Sequence, residues 1–313
     1  MDALLRSILD PSLAPPADDD LAAWWAATAA RRDAWSEPFD RALVGGACAD
    51  RLGFAFAAGY AEALRALVPG LPAGSVSALC ATEDGGNHPR AIRTRLEQIA
   101  PGEYRLTGRK KWASLAPAAS SLLVVASLGD DPAGKNRLCV VRVATTAPGV
   151  RLHPSAASFV PEIPHAEVEL DGVAVTLADL LDGDGYDDYL KPFRTIEDLH
   201  VHGALAGYLL GVARRKRFSH ALHQQLLVLA LATGTLAHGD ARAATSHAAL
   251  AGTLDLAGRI VAELEAAWAA APDEEWTRWQ RDRRLLQVAS TARAQRRDRA
   301  WAVLDAPTIA PPR

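Results

Sequence analysis

Cysteine is scarce: Cys48, Cys80 and Cys139 are the only three in 313 residues, too far apart for a disulfide framework or a clustered metal site. Their apolar flanks mark them as reduced, buried thiols. Long apolar runs are missing as well. The longest, Leu226 to Ala232, makes about two helical turns where a bilayer span needs ~20 residues, so no membrane partner is expected. Neither sign of charge dominates. With 34 Lys and Arg against 37 Asp and Glu the net charge is -3, which provides no general attraction to nucleic acid or an anionic membrane; any anionic ligand must be met by local charge. No basic stretch leading into an apolar one follows Met1, so a cytoplasmic protein without a secretory signal is expected. What is present is apolar mass: 49% hydrophobic residues are enough for two or three compact units.

The pattern changes twice along the chain. Residues 1–74 read as a helical domain, in which Leu21-Ala22-Ala23-Trp24-Trp25 follows an Asp-rich start and Leu52 to Leu67 carries apolar residues at helical spacing, until Pro69-Gly70-Leu71-Pro72 ends it. Residues 75–176 read as a β domain. Ser120 to Ser127, Arg137 to Val143 and Ala166 to Leu170 are short Val- and Leu-rich runs between Gly, Pro and Asp turns. Residues 177–192 form a connector whose Asp182-Gly183-Asp184-Gly185 turn lacks the later acidic ligand of a calcium loop, so no metal is expected. Residues 193–306 are rich in Ala, Leu, Arg and Gln and predict a helical bundle, with helices over Phe193 to Phe218, Ala221 to Leu236, Asp240 to Ala271 and Asp273 to Leu304. Trp276, Trp279 and Trp301 are expected to pack within or beside that bundle.

The most specific signal lies in the β region. Ala81-Thr82-Glu83-Asp84-Gly85-Gly86, Ile92-Arg93-Thr94 and Tyr104-Arg105-Leu106-Thr107-Gly108-Arg109-Lys110-Lys111-Trp112 follow one another at short spacing. This order resembles the middle domain of acyl-CoA dehydrogenases, which reads roughly T-E-x-G-x-G-S, then I-x-T, then Y-x-L-x-G-x-K-x-W-I-T/S. The resemblance runs on through Leu122-Leu123-Val124-Val125-Ala126, Ala147-Pro148-Gly149-Val150 and Gly183-Asp184-Gly185-Tyr186. It implies an α+β architecture: an N-terminal helical domain, here shortened, a middle β-barrel or sheet domain and a C-terminal helical bundle, here truncated. It also implies FAD. Thr82, Trp112 and Ser114 fall on positions that meet the flavin, Gly85 and Gly86 on the glycine loop, and His88 where the family has a serine touching pyrophosphate and substrate.

Oxidation of an acyl thioester needs a base for the α-proton. The Glu that many family members keep beside a C-terminal Q-x-x-G-G-x-G-Y segment has no counterpart after Gln287, where Val288-Ala289-Ser290-Thr291-Ala292 stands. Another branch of the family carries the base in an E-R-L sequence shortly before a glycine; Glu197-Asp198-Leu199 precedes Gly207 by that interval, which makes Glu197 the candidate base. The competing reading is a negative charge in the first turn of a helix. His200 and His202, two apart on a helix, point to different faces, so at most one reaches the cleft. The family's Arg-x-x-Phe-Gly, which grips the FAD phosphates across a subunit boundary, corresponds to His223-Gln224-Gln225-Leu226-Leu227, and Arg214-Arg215-Lys216-Arg217 is either its replacement or a solvated helix face. The resemblance thus implies a flavoprotein oxidising an acyl-CoA or acyl-carrier thioester, with an electron-accepting flavoprotein as a possible partner; the family's tetramers are built largely from the C-terminal bundle, and with that bundle truncated a homodimer, or at most a monomer–dimer equilibrium, is expected. The alternatives are a non-catalytic module with the same fold, or a flavin-dependent monooxygenase using His88 or His200.

Overall fold

Glycine lets three helices meet at backbone contact. Gly46 in α4 (Pro38–Ala47) lies against the backbone of Ala204, Gly207 in α6 (Lys191–Arg215) lies against that of Leu43, and a Cβ on Gly59 in α5 (Leu52–Leu67) would meet Val201 Cα at 2.6 Å. A methyl at any of the three has nowhere to go. Around this contact the computed structural model describes residues 2–306 apart from 11, 17–18, 73, 87 and 156–158. Three short helices, α1 (Asp2–Ile8), α2 (Leu21–Ala27) and α3 (Ala29–Asp33), lead into α4. Asp20 caps α2 by accepting the Ala23 N–H, as an Asp before an apolar helix start should.

Seven strands then form one sheet. They are β1 (Ser77–Cys80), β2 (Arg95–Ala100), β3 (Glu103–Ser114), β4 (Ser121–Asp130), β5 (Asn136–Ala144), β6 (Val150–Ser155) and β7 (His165–Thr176). The order is β1-β4-β2-β3-β7-β6, with β5 on β4; β1 runs parallel to β4, and β3 pairs antiparallel with β7 from Glu103↔Thr176 to Ser114↔His165. Leu122 to Ala126 are buried without alternation, because β4 is covered on both faces. The expected runs at 137–143 and 166–170 lie within β5 and β7, and that at 120–127 begins one residue before β4; β1, β2, β3 and β6 were not anticipated.

The connector expected over 177–192 consists of a 3-10 turn (Leu177–Asp179) and a π-helical turn (Gly185–Leu190), and α6 already begins at Lys191. α6 is the axis of the helical region and packs on α4, α5 and α7 (His220–Ala237), while α8 (Ala244–Ala269) packs on α7. The single helix expected over 273–304 is three pieces: α9 (Glu274–Asp282), a 3-10 turn (Arg283–Gln287) and α10 (Ser290–Leu304). Trp279 is buried, with its ring 6.1 Å from Tyr208 and 6.2 Å from Trp268, and Trp276 is half-buried. Trp301 departs from expectation at 51% exposed, because α10 rests on α8 along one side only and Trp301 lies off that side. The three cysteines are free and buried, as their flanks predicted. Among the described residues no helix is long and apolar enough to cross a membrane.

Candidate functional site

A buried ion pair organises the sequence motif. Lys110, inward on β3, has its Nζ 2.6 Å from Glu83 Oε1, and Glu83 also accepts the backbone N–H groups of Arg93 (2.7 Å) and Thr94 (3.0 Å). Three motif segments are thereby tied at one carboxylate. Burial alone would raise the Glu83 pKa, but Lys110 and the two N–H donors hold it below the ordinary carboxylate range. Lys111 N–H donates to Thr82 O at 2.8 Å, so the loop before the glycines is fastened to β3 as well.

Beyond Lys110 the β3–β7 register shifts, and Trp112 occupies the bulge with φ 57, a left-handed conformation that an aromatic residue adopts only under constraint. The consequence is exposure. Trp112 is 65% exposed and lines, with Ser114, a cavity of about 550 Å³. The far wall comes from α6, which contributes Glu197, Val201 and His202. Phe159, Val160 and Ile163 line it on one side, and Leu285 and Leu286 of the 3-10 turn, with Val288 just after it, on another. Val160 also has a left-handed φ of 45, and its N–H donates to the buried Asp282 of α9 at 2.8 Å.

Glu197 lies six residues into α6, beyond the first turn, so the helix-end reading loses its geometry. It is half-buried, lines the cavity and makes no hydrogen bond or ion pair among the described residues. Burial pushes its pKa up to about 7; the neighbouring Asp198 charge acts in the same direction, and Arg293 and Arg296 oppose it. Asp198 has the opposite fate. Its Oδ1 accepts from Arg293 Nε at 2.8 Å and lies 2.7 Å from Arg293 Nη2, and its Oδ2 meets Arg296. Burial would raise its pKa, yet the two guanidinium groups hold it below the ordinary range. Adjacent carboxyls are thus forced into different protonation regimes near neutral pH, the arrangement that separates a proton-transfer group from a structural charge.

His165 and His202 also line this cavity. Each donates its Nδ1–H to a main-chain carbonyl, Ile163 O at 2.8 Å and Asp198 O at 2.7 Å, which leaves Nε2 as an acceptor. Burial lowers both pKa values, that of His202 to about 4. His200 turns elsewhere, bonding Ile196 O and packing 6.0 Å from the Phe39 ring.

The structure therefore brings Trp112, Ser114 and Glu197 together and places the other candidates apart. Thr82 is half-buried on the loop fastened to β3. Gly85 lines a separate crevice of about 230 Å³ beside Glu83 and Arg93, and Gly86, at φ 95, closes a tight turn with Glu83. His88 is exposed and caps the Pro89–Ala91 turn, its Nδ1 accepting the Arg90 N–H at 3.2 Å. Three of the four residues from Arg214 to Arg217 are engaged within the chain, and Arg217 is exposed. Arg214 reaches the main chain of Ile8 and Asp10, Arg215 pairs with Glu275, and Lys216 pairs with Asp273 and Glu275. Arg293, Arg296 and the Asp282–Val160 contact were not anticipated, since each partner lies roughly a hundred residues away.

Comparison with known proteins agrees with this arrangement. The model described as acyl-CoA dehydrogenase, middle domain, matches residues 78–173. Benzylmalonyl-CoA dehydrogenase of Aromatoleum aromaticum (strain DSM 19018 / LMG 30748 / EbN1) is 30% identical over 161 residues, 50% of this chain; the matched stretch spans 40% of that protein's length. Among solved structures, butyryl-CoA dehydrogenase from Megasphaera elsdenii superposes with a TM-score of 0.66 at 15% identity, covering 96% of each chain. FMN-bound TdsC from Paenibacillus sp. A11-2 superposes with 0.68 at 18%, covering 98% of this chain and 96% of that one. Residues 78–173 thus match the acyl-CoA dehydrogenase middle domain, and the described chain shares the fold of these solved structures.

Proposed function

We propose that this protein is an FAD-dependent oxidoreductase that removes the α-proton and β-hydride of an acyl thioester, with Glu197 as the base. The observation that carries the reading is an unpaired carboxyl with a pKa near 7 lining the same largely apolar cavity as an exposed, left-handed Trp112. The names of the relatives support a CoA thioester as substrate and a flavin as cofactor.

The cavity residues fit the ring of such a cofactor. Trp112 offers a flat indole face for stacking, and the Ser114 hydroxyl, which makes no hydrogen bond among the described residues, offers a donor beside it. A bound flavin supplies the hydride acceptor. The rest falls to the chain. Glu197, ionised above its pKa, accepts the α-proton on a carboxylate oxygen, and the apolar walls exclude the water that would return that pKa to the ordinary range. His202, neutral at pH 7, adds no positive charge that would hold Glu197 too acidic to act. Asp198 takes up Arg293 and Arg296, which would otherwise pair with the base.

The test is anaerobic bleaching of the oxidised flavin band by acyl-CoA, in the wild type and in Glu197→Gln. Bleaching that slows by roughly 10²-fold or more in the variant supports the assignment. An unchanged rate removes Glu197 from the reaction, and absence of bleaching across a range of acyl thioesters removes the reaction itself.

A further inference from the structure

Glu197 stands between two cavities of opposite character. The first is the largely apolar one shared with Trp112. The second, of about 610 Å³, shares Glu197, Asp198, Ala289 and Arg293 with it, but elsewhere carries Lys191, Arg242, Arg296 and Arg299. In a chain whose net charge is -3 this is a local concentration of positive charge and not the background.

Its own acids do not balance it. Glu197 and Asp198 are the only carboxyl groups in that wall, and Asp198 already holds Arg293 and Arg296. Lys191 and Arg242 reach out of the cavity to Asp187 at 3.7 Å and Asp188 at 2.9 Å, solvent-exposed pairs and so weak ones. Arg299 has no ion pair among the described residues. A concave surface lined by one sign of charge focuses its field, and guanidinium forks match the two oxygens of a carboxylate or phosphate. Arg299 also lies close to the chemistry: it is one helical turn beyond Arg296, which touches the residue that follows Glu197.

We propose that this second cavity binds an anionic group, a carboxylate or a phosphate, carried by the same molecule whose reacting carbon lies beside Glu197. The identity of that molecule as an acyl thioester rests on the function proposed above; the anion site rests on the cavity alone. Two sources supply the chemistry, a second carboxylate at the far end of the acyl chain or a phosphate of its carrier.

Calorimetry separates them. The wild type, Arg299→Ala, Arg242→Ala and the double variant are titrated with glutaryl-CoA and valeryl-CoA, with the N-acetylcysteamine thioesters of the same acids, and with glutarate and inorganic phosphate. Both side chains are at least half exposed or at the surface, so the fold should survive, and Arg299→Lys serves as the conservative control. An acyl carboxylate predicts roughly tenfold or greater loss for glutaryl thioesters on either carrier, and none for valeryl thioesters. A carrier phosphate predicts the loss for both CoA thioesters and none for N-acetylcysteamine thioesters. Arginine-dependent binding of glutarate or phosphate with no thioester binding keeps the anion site and rejects the oxidation reading. Affinities that ignore both arginines, or no binding by any probe, overturn the proposal.

Discussion

Asp282 in α9 and Val160 in the segment before β7 are 122 positions apart, and the carboxylate of one fixes the backbone of the other: Asp282 Oδ1 accepts the Val160 N–H at 2.8 Å. Val160 is held at φ 45, which a β-branched residue avoids, and its side chain forms part of the wall beside Trp112. Asp282 is fully buried and paired with Arg281, which also pairs with Glu162. Asp282→Ala should therefore lower stability by about 1–3 kcal/mol in denaturant unfolding, because it leaves the buried Val160 N–H without its acceptor, while Arg281 keeps Glu162. Loss of less than about 1 kcal/mol would show that the segment is held by other contacts.

Glu197 makes stability depend on pH in an unusual direction. Its pKa in the folded protein, about 7, lies above the ordinary 4.5, so its favourable contribution is fully present below pH 4.5 and is lost as pH rises through 7. Glu197→Gln has no such group to ionise. The variant should gain thermal stability relative to the wild type when both are moved from pH 5 to pH 8. Parallel melting curves at the two pH values would place the Glu197 pKa in the ordinary range.

The Glu83–Lys110 pair should behave asymmetrically. Glu83→Gln leaves a buried ammonium with its charge uncompensated and should destabilise by about 3–5 kcal/mol, whereas Glu83→Gln combined with Lys110→Met removes that charge and should recover part of the loss. A double-mutant cycle reads this directly. Equal losses in the single and double variants would mean that the carboxylate matters for the Arg93 and Thr94 N–H groups and not for Lys110.

Binding of FAD should be weak. Trp112 and Ser114 are the proposed ring contacts, but three residues of the basic run that could have met the phosphates, Arg214, Arg215 and Lys216, are taken by the Asp10 main chain, Glu275 and Asp273. Gradual loss of flavin on dilution is expected, and calorimetry giving sub-micromolar affinity would show a phosphate grip formed elsewhere.

A homodimer is the expected assembly. Val228 on α7 and Trp301 and Val303 on α10 are more than half exposed, which favours cover by a second copy. Light scattering coupled to size exclusion decides it: a monomer or a stable tetramer contradicts the expectation.

How far the fold could be read depended on whether local chemistry decided each element. Leu52 to Leu67 has α5's bounds because helical spacing continues until Val68-Pro69 interrupts it, and β4 stands out as an unbroken apolar run. β3 hid itself: Tyr104 and Leu106 alternate with polar residues, but the next inward positions are a glycine and a lysine, and its largest aromatic faces outward through a bulge, so the apolar alternation is cut short. The break after Asp282 carries neither glycine nor proline; it exists because Asp282 is used by Val160. At the site, Glu197, Trp112 and Ser114 were reachable through motif resemblance. Their grouping depends on α6 and β3 meeting in space, and the Arg293 and Arg296 partners of Asp198 could not be inferred from either end alone.

The backbone contact at Gly59 makes α6 a lever. Val201, which a methyl on Gly59 would strike, lies one turn from Glu197 on the same rigid helix, so a displacement there is handed on to the carboxyl almost undiminished. Gly59→Ala touches nothing in the cavity, yet it would tilt the base relative to Trp112. Alignment of a proton acceptor with its substrate is thus held in part by a hydrogen atom on the neighbouring helix, at a position that a search confined to chemically reactive side chains passes over.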